Sequence, residues 1–328
     1  MEEIGNHFKL EKLDGNKFHQ TDLFFSSGRN CLRFIISKRN IKKILIPYFL
    51  CETVSESAIN EGIEIEYYHI DNNYKPIDMP TNMNSGTFLY LVNYYGILTG
   101  EPIIDIVDKY KNVIVDNTHN FYDDNKYGVD TIFNYRKYFG VPDGACIISN
   151  LQYDPQLPKS KSLNRIVEFI EREESGKYFH YSTFMEADQY FHNEPISYIS
   201  QFSDNYLKVI NYGNCFTKRL TNYEYLNEKL SKYNLLNISD NIKLNFMYPF
   251  LVDDGIGLRK YLLENNIYAN LFWPNVYNNG SNNFEISLAE NTVLLPIDQR
   301  YGLDEMKYIS NKILEYNSKT KKLCRRGK

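Results

Sequence analysis

Three short segments hold the residue types that could carry chemistry. The first is Ser26-Ser27-Gly28-Arg29-Asn30, a turn of small residues opening a helix-like stretch. Unpaired backbone N–H groups and the helix dipole suit such a turn to a phosphate, although a Ser-Gly pair there serves equally as a plain cap. The second is Val113-Ile114-Val115-Asp116-Asn117-Thr118-His119, where an aspartate closes an apolar run. A carboxylate held there can pair with a protonated ring nitrogen or a metal, or simply cap the next turn. The third runs from Phe133 to Ala145 and sets Arg136 and Lys137 among aromatic rings before a Pro-Asp-Gly turn. A lysine in such surroundings can have a lowered pKa and attack a carbonyl as the free amine; its plain alternative is a solvated surface charge.

Taken together, the three segments describe one site. A lysine can condense with an aldehyde, an aspartate can keep a pyridine nitrogen protonated, and a Ser-Gly helix start can hold a phosphate. Those are the requirements of pyridoxal 5'-phosphate (PLP).

The elements that must position these residues alternate along the first half. Residues 29–38 carry apolar side chains at helical spacing, and IKKILIPYF reads as a short buried strand. ETVSESAINEG predicts a helix stopping at Gly62, and IEIEYYHID alternates like a strand. TFLYLVNYYG, VIVDNTHN, DTIFNY and ACIISN are further strands, with the amphipathic helix EPIIDIVDKYKN among them. This alternation predicts an α/β layer with a mainly parallel sheet, whose ligands sit beyond the strands' carboxyl ends. From about Gln152 to Asn211 the chain is polar and helix-rich. Residues 203–233 predict a long helix, broken near Gly213. A strand (MYPFLVDD), a helix (IGLRKYLLENNI), a loop around PNVYNNGSNN and a closing helix (DEMKYISNKILEY) follow, the content of a small α+β domain.

The chain has 328 residues, a size for about two domains. Lys+Arg 37 against Asp+Glu 41 leaves a net charge of −4, which argues against a phosphate-dominated nucleic-acid binder. A hydrophobic content of 43% excludes a largely disordered chain. No stretch approaches the ~20 apolar residues of a membrane helix, and MEEIGNHFKLEKLDG lacks the pattern of a signal peptide. Five scattered cysteines without a CxxC pair fit a reduced, cytoplasmic protein, and the histidines lack metal spacing. The basic tail KTKKLCRRGK reads as a frayed, solvated terminus. Tyr 29 and Phe 20 against Trp 1 read mainly as compositional background.

The pattern resembles the DegT/DnrJ/StrS-type PLP-dependent sugar aminotransferases, from about Phe24 to the closing helix. FFSSGRNCLRFII is similar to the family's Ser-Gly turn, ILIPYFLCETV to its strand and proline turn, and Asp116-Asn117-Thr118-His119 to its pyridine-binding strand end. Lys137 before Asp143-Gly144-Ala145 resembles the cofactor lysine and its acidic-Gly turn, and LLPIDQRYGLDEM the segment before the last helix. The closest likeness is to a short subgroup with SGRN and RKxFGVPDG motifs. Asn134 stands where the family has a serine, Lys137 follows Asp116 by 21 positions, and Cys51 falls at the position of the stacking aromatic.

The resemblance implies fold type I of the PLP-dependent transferases (aspartate-aminotransferase-like), a large parallel-rich sheet domain plus a small α+β C-terminal domain. The implied divisions are an arm over 1–20, a PLP-binding domain over 21–205 and a small domain over 206–328. It implies Lys137 as the catalytic residue, with Ser27, Gly28, Arg29 and Asn134 at the phosphate. Asp116 would be at the pyridine nitrogen and His119 near the ring hydroxyl. Tyr94, with Phe49 or Tyr95 as alternatives, would be the stacking ring. Arg136 is an anion clamp or an ion-pair partner. The implied reaction moves an amino group from a donor, commonly glutamate, to a keto-sugar that is nucleotide-linked, in surface-polysaccharide or modified-sugar biosynthesis. The implied assembly is a homodimer, with Ser200–Ser203 of a partner as candidates to complete the site. Two alternatives stay open: a PLP-dependent dehydratase or lyase, and a non-catalytic relative that binds a sugar or a protein. Related dehydratases carry histidine at the lysine position, so Lys137 favours transamination. A nucleotide-dependent Rossmann enzyme is disfavoured because no GxGxxG follows the first strand.

Overall fold

A computed structural model describes residues 10–80, 83–124, 126–175, 194–236, 238 and 245–323. The start of the arm, part of the polar stretch (176–193) and the end of the basic tail (324–328) lie outside the described residues.

Strand β1 (Phe24–Phe25) leads into helix α1 (Gly28–Arg39), followed by β2 (Lys43–Pro47), α2 (Glu52–Asn60), β3 (Glu64–Ile70) and β4 (Pro76–Ile77). Next come β5 (Thr87–Val92), α3 (Glu101–Tyr110), β6 (Val113–Asp116), β7 (Asp130–Asn134) and β8 (Ala145–Ile148). Their sheet has the order β1-β8-β7-β6-β5-β2-β3-β4. Its middle, β3-β2-β5-β6-β7, is parallel, whereas β8 runs antiparallel to β7, and β1 and β4 antiparallel to their neighbours. All residues of β5 and β6 are buried, as expected for strands covered on both faces. In α1 the apolar positions Cys31, Leu32, Phe34, Ile35 and Ile36 face inward, and Ser27 caps the first turn.

The chain leaves β2 toward β3 on one side, then returns to β5 and runs through β6 and β7 on the other. The crevice at the carboxyl ends of β2 and β5 is therefore a topological switch point, where open α/β sheets take their ligands.

The second half departs from expectation in three places. The predicted long helix is divided into α5 (Gln201–Tyr206) and α6 (Tyr212–Leu230), after α4 (Leu163–Ser175). The break falls at Ile210 and Asn211, because the Asn211 side chain accepts from the Asn214 N–H and caps α6; Gly213 lies inside that helix. After β9 (Tyr248–Leu251) and α7 (Gly255–Glu264), the Asn-rich loop ends in an unpredicted helix, α8 (Asn283–Asn291). A reciprocal cap between Asn282 and Glu285 starts it. Then β10 (Thr292–Leu295) pairs antiparallel with β9, and α9 (Leu303–Thr320) closes the smaller unit. The start of the basic tail is anchored: Lys319 and Thr320 complete α9, and the Lys322 ammonium meets Asp254 at 2.5 Å. Among the described residues no helix is long and apolar enough to cross a membrane.

Candidate active site

A cavity of about 330 Å³ opens at the switch point. Small-molecule sites have volumes of about 300 Å³ upward. Ser27, Gly28, Arg29, Asp116, His119, Asn134 and Lys137 all line it, joined by Cys51, Tyr90, Thr118, Arg136 and Trp273. The three segments singled out from the sequence thus meet at adjoining strand ends.

One end of the cavity is built from the start of α1. Ser27 Oγ accepts the Asn30 N–H at 3.3 Å, and the Cys31 N–H goes to the Ser27 carbonyl. The Asn134 side-chain oxygen accepts the Arg136 N–H at 3.1 Å. A Cβ on Gly28 would lie 3.5 Å from Asn134 Nδ2, so the glycine keeps open the gap between the helix start and that amide. Behind the turn, buried Glu194 accepts the Ser26, Ser160 and Ser197 hydroxyls at 2.7, 2.5 and 2.9 Å. Asn30 binds Ser26 and the Pro195 carbonyl, so it supports the turn from within.

Asp116 ends β6 and is nearly buried. Its Oδ1 accepts the Thr118 N–H at 2.9 Å, and its Oδ2 the Tyr90 hydroxyl at 2.8 Å. Burial and the adjacent Asp116 carboxylate push the Tyr90 pKa well up, so this hydroxyl remains a donor.

Lys137 ends the tight helical turn Tyr135–Lys137 that follows β7, and its Nζ is 5.9 Å from the Phe272 ring centre. Buried Arg219 fixes the next residue: it donates to the carbonyls of Tyr138, Asn245 and Phe246 and to Gln299. The Asp143-Gly144 turn is tied down in turn. The Gly144 N–H donates to the Ser26 carbonyl at 2.8 Å, and Gly144 has φ +139°, a value glycine tolerates. Asp143 accepts from the Ser200 N–H and hydroxyl and from the Ser203 hydroxyl. Ser200 and Ser203 are thus engaged with Asp143 of their own chain.

His119 lies parallel to Phe246 at 4.4 Å and to Tyr95 at 5.8 Å. Burial, and secondarily the charge of Lys137, hold its pKa well below the usual histidine range, so the ring is neutral. Its Nδ1 accepts the Tyr95 N–H at 3.5 Å, which leaves Nε2 as the proton-bearing nitrogen.

Tyr94 is a correction. It is buried, but it does not line the cavity; its hydroxyl donates to the Phe49 carbonyl at 2.5 Å and its ring packs on Tyr74 and Phe49. The turn after β5, with Tyr95 at φ 56°, directs it into the core. Phe49 and Tyr95 are equally absent from the lining, while Trp273, from beyond β9, is present. Tyr90 and Trp273 are among the lining residues that sequence reasoning missed. Tyr90 reads as one more apolar residue of a buried strand, and Trp273 belongs to a distant loop.

No family model matches the chain, and no curated protein does. Solved structures do match in fold. A sugar aminotransferase, CalS13 from Micromonospora echinospora, is 11% identical with a TM-score of 0.62, over 89% of this chain and 86% of that one. A DegT DnrJ EryC1 StrS aminotransferase from Brucella abortus is 15% identical with a TM-score of 0.59, over 90% and 85%. Spr1654 from Streptococcus pneumoniae, solved in a PLP form, is 12% identical with a TM-score of 0.63, over 90% and 87%. At such identities the likeness establishes architecture: the chain has the fold type I PLP-dependent transferase fold, a large mixed sheet with a smaller C-terminal unit.

Proposed function

We propose that the chain is a PLP-dependent aminotransferase acting on a keto-sugar. The observation that carries this reading is the convergence of Lys137, Asp116 and the Ser27–Arg29 turn on one cavity. The donor set fits the cofactor: helix-start N–H groups and the Asn134 amide for a phosphate, a fixed carboxylate for a ring nitrogen, and an amine for an aldehyde. PLP, when bound, supplies an electron sink for negative charge at the substrate carbon. Ser27, Gly28, Arg29 and Asn134 hold the phosphate. Asp116 accepts the ring N–H, and neutral His119 donates from Nε2. Lys137 would take the proton from the α-carbon of the amino donor, glutamate in this proposal, as general base and give it back as general acid. Arg29 and Arg136 at the same cavity suit an anionic acceptor such as a nucleotide-linked keto-sugar. The proposal extends to a cytoplasmic homodimer serving surface-polysaccharide or modified-sugar synthesis, with the cofactor part over 21–205 and the small part over 206–328.

The test is the colour of the purified protein with PLP. A visible band is expected in the native chain, lost in Lys137→Ala and bleached by glutamate. No band with cofactor in excess would refute the reading. A band that glutamate leaves untouched would exclude it as the donor.

A further inference from the structure

We propose that Tyr90 is a positioning residue that, through Asp116, sets how strongly the cavity prefers a protonated ring nitrogen. The inference rests on the cofactor reading above. Tyr90 lies in the middle of β5, opposite Ile114 of β6, and its ring faces the cavity. Its backbone is fixed as well, since the Tyr68 hydroxyl donates to the Tyr90 carbonyl at 2.8 Å. The Tyr90 hydroxyl is buried and donates to Asp116 Oδ2. The Thr118 N–H occupies Oδ1. The carboxylate is therefore held at both oxygens, and each retains a lone pair for a further donor.

This arrangement has two consequences. The plane of the carboxylate is set before any ligand arrives, so little ordering remains to be done on binding. The Tyr90 hydroxyl, which stays a donor, also fixes Oδ2 in place and leaves its second lone pair ready for a ring N–H. In a pair made of Asp116 and a pyridine nitrogen, that favours the proton on the ring, the state in which the ring accepts electrons. A phenylalanine at position 90 would keep the apolar run Phe88-Leu89-Tyr90-Leu91-Val92 and its burial.

The experiment titrates cofactor-free protein with PLP and, separately, with the analogue whose ring nitrogen is replaced by C–H. The fluorescence of Trp273, the chain's one tryptophan and part of the cavity lining, reports binding. The native chain is expected to prefer PLP. In Tyr90→Phe that preference falls about tenfold, the scale of one hydrogen bond to a charged group, with the analogue bound as before. In an Asp116→Asn background, adding Tyr90→Phe leaves the ratio unchanged. An unaltered ratio in the single variant, or equal weakening of both ligands, would overturn the inference and leave the cofactor reading intact. Failure of the native chain to bind PLP would instead overturn the cofactor reading, and this inference with it.

Discussion

Stability in mild acid should depend on one histidine outside the cavity. His19 is 7% exposed, lies 3.9 Å from the Phe133 ring and 4.8 Å from Phe121, and has no hydrogen-bond partner at Nε2. Burial lowers its pKa from 6.5 to about 3, against a smaller opposing effect of a hydrogen bond with the Phe121 backbone. The unfolded chain takes up this proton near pH 6.5, whereas the folded chain refuses it until about pH 3. Stability is thus fully present above the unfolded value and is lost as pH falls through that window. At about 1.4 kcal/mol per pH unit, the loss from this group reaches about 2 kcal/mol at pH 5 and about 4 kcal/mol near pH 3. His119 is lowered too and acts in the same direction. The assay is urea denaturation of native and His19→Phe protein at about pH 7 and pH 5. The pH dependence, not the baseline, is compared, since the substitution also removes a hydrogen bond at every pH. The native chain should lose about 2 kcal/mol more than the variant over that interval. Parallel pH profiles would refute the argument from burial.

Two further outcomes concern the scaffold of the cavity. Arg219→Met removes the donor from the buried Asn245 and Phe246 carbonyls and should cost about 3 kcal/mol in chemical denaturation; unchanged stability would contradict the assignment. Gly28→Val fills the gap facing Asn134 Nδ2, so PLP binding followed through Trp273 should weaken at least about tenfold while the unfolding midpoint changes little. Undiminished affinity would place the phosphate elsewhere.

The parts legible in the sequence were those with local causes. Ser27 before an apolar helical stripe announces α1, and the apolar run ending at Asp116 announces β6. Cavity residues attached to such elements, from Ser27 to Lys137, were therefore found. What stayed hidden depends on contacts between distant segments. Trp273 reaches the cavity from the smaller unit, and Tyr90 acquires its partner only because β5 lies beside β6. Helix α8 was hidden because its asparagines read as loop, although buried Glu285 caps it and also accepts the Ile70 N–H. The antiparallel placement of β8 has no signature in its own residues.

The Ser27–Arg29 turn hangs from β1, a strand of two residues whose partner is β8, with Phe24 opposite Cys146. Its next supports are the Gly144 N–H on the Ser26 carbonyl and the Ser26 N–H on Ser197. The turn is thus made early in translation and braced late. A nascent chain emerging from the ribosome has residues 26–28 long before it has residues 144 and 197 to hold them. On the proposed reading, capture of a phosphate there would have to wait until the segment carrying Ser197 is synthesised, beyond the last strand of the sheet, so a truncated product ending before Ser197 should not sequester the ligand.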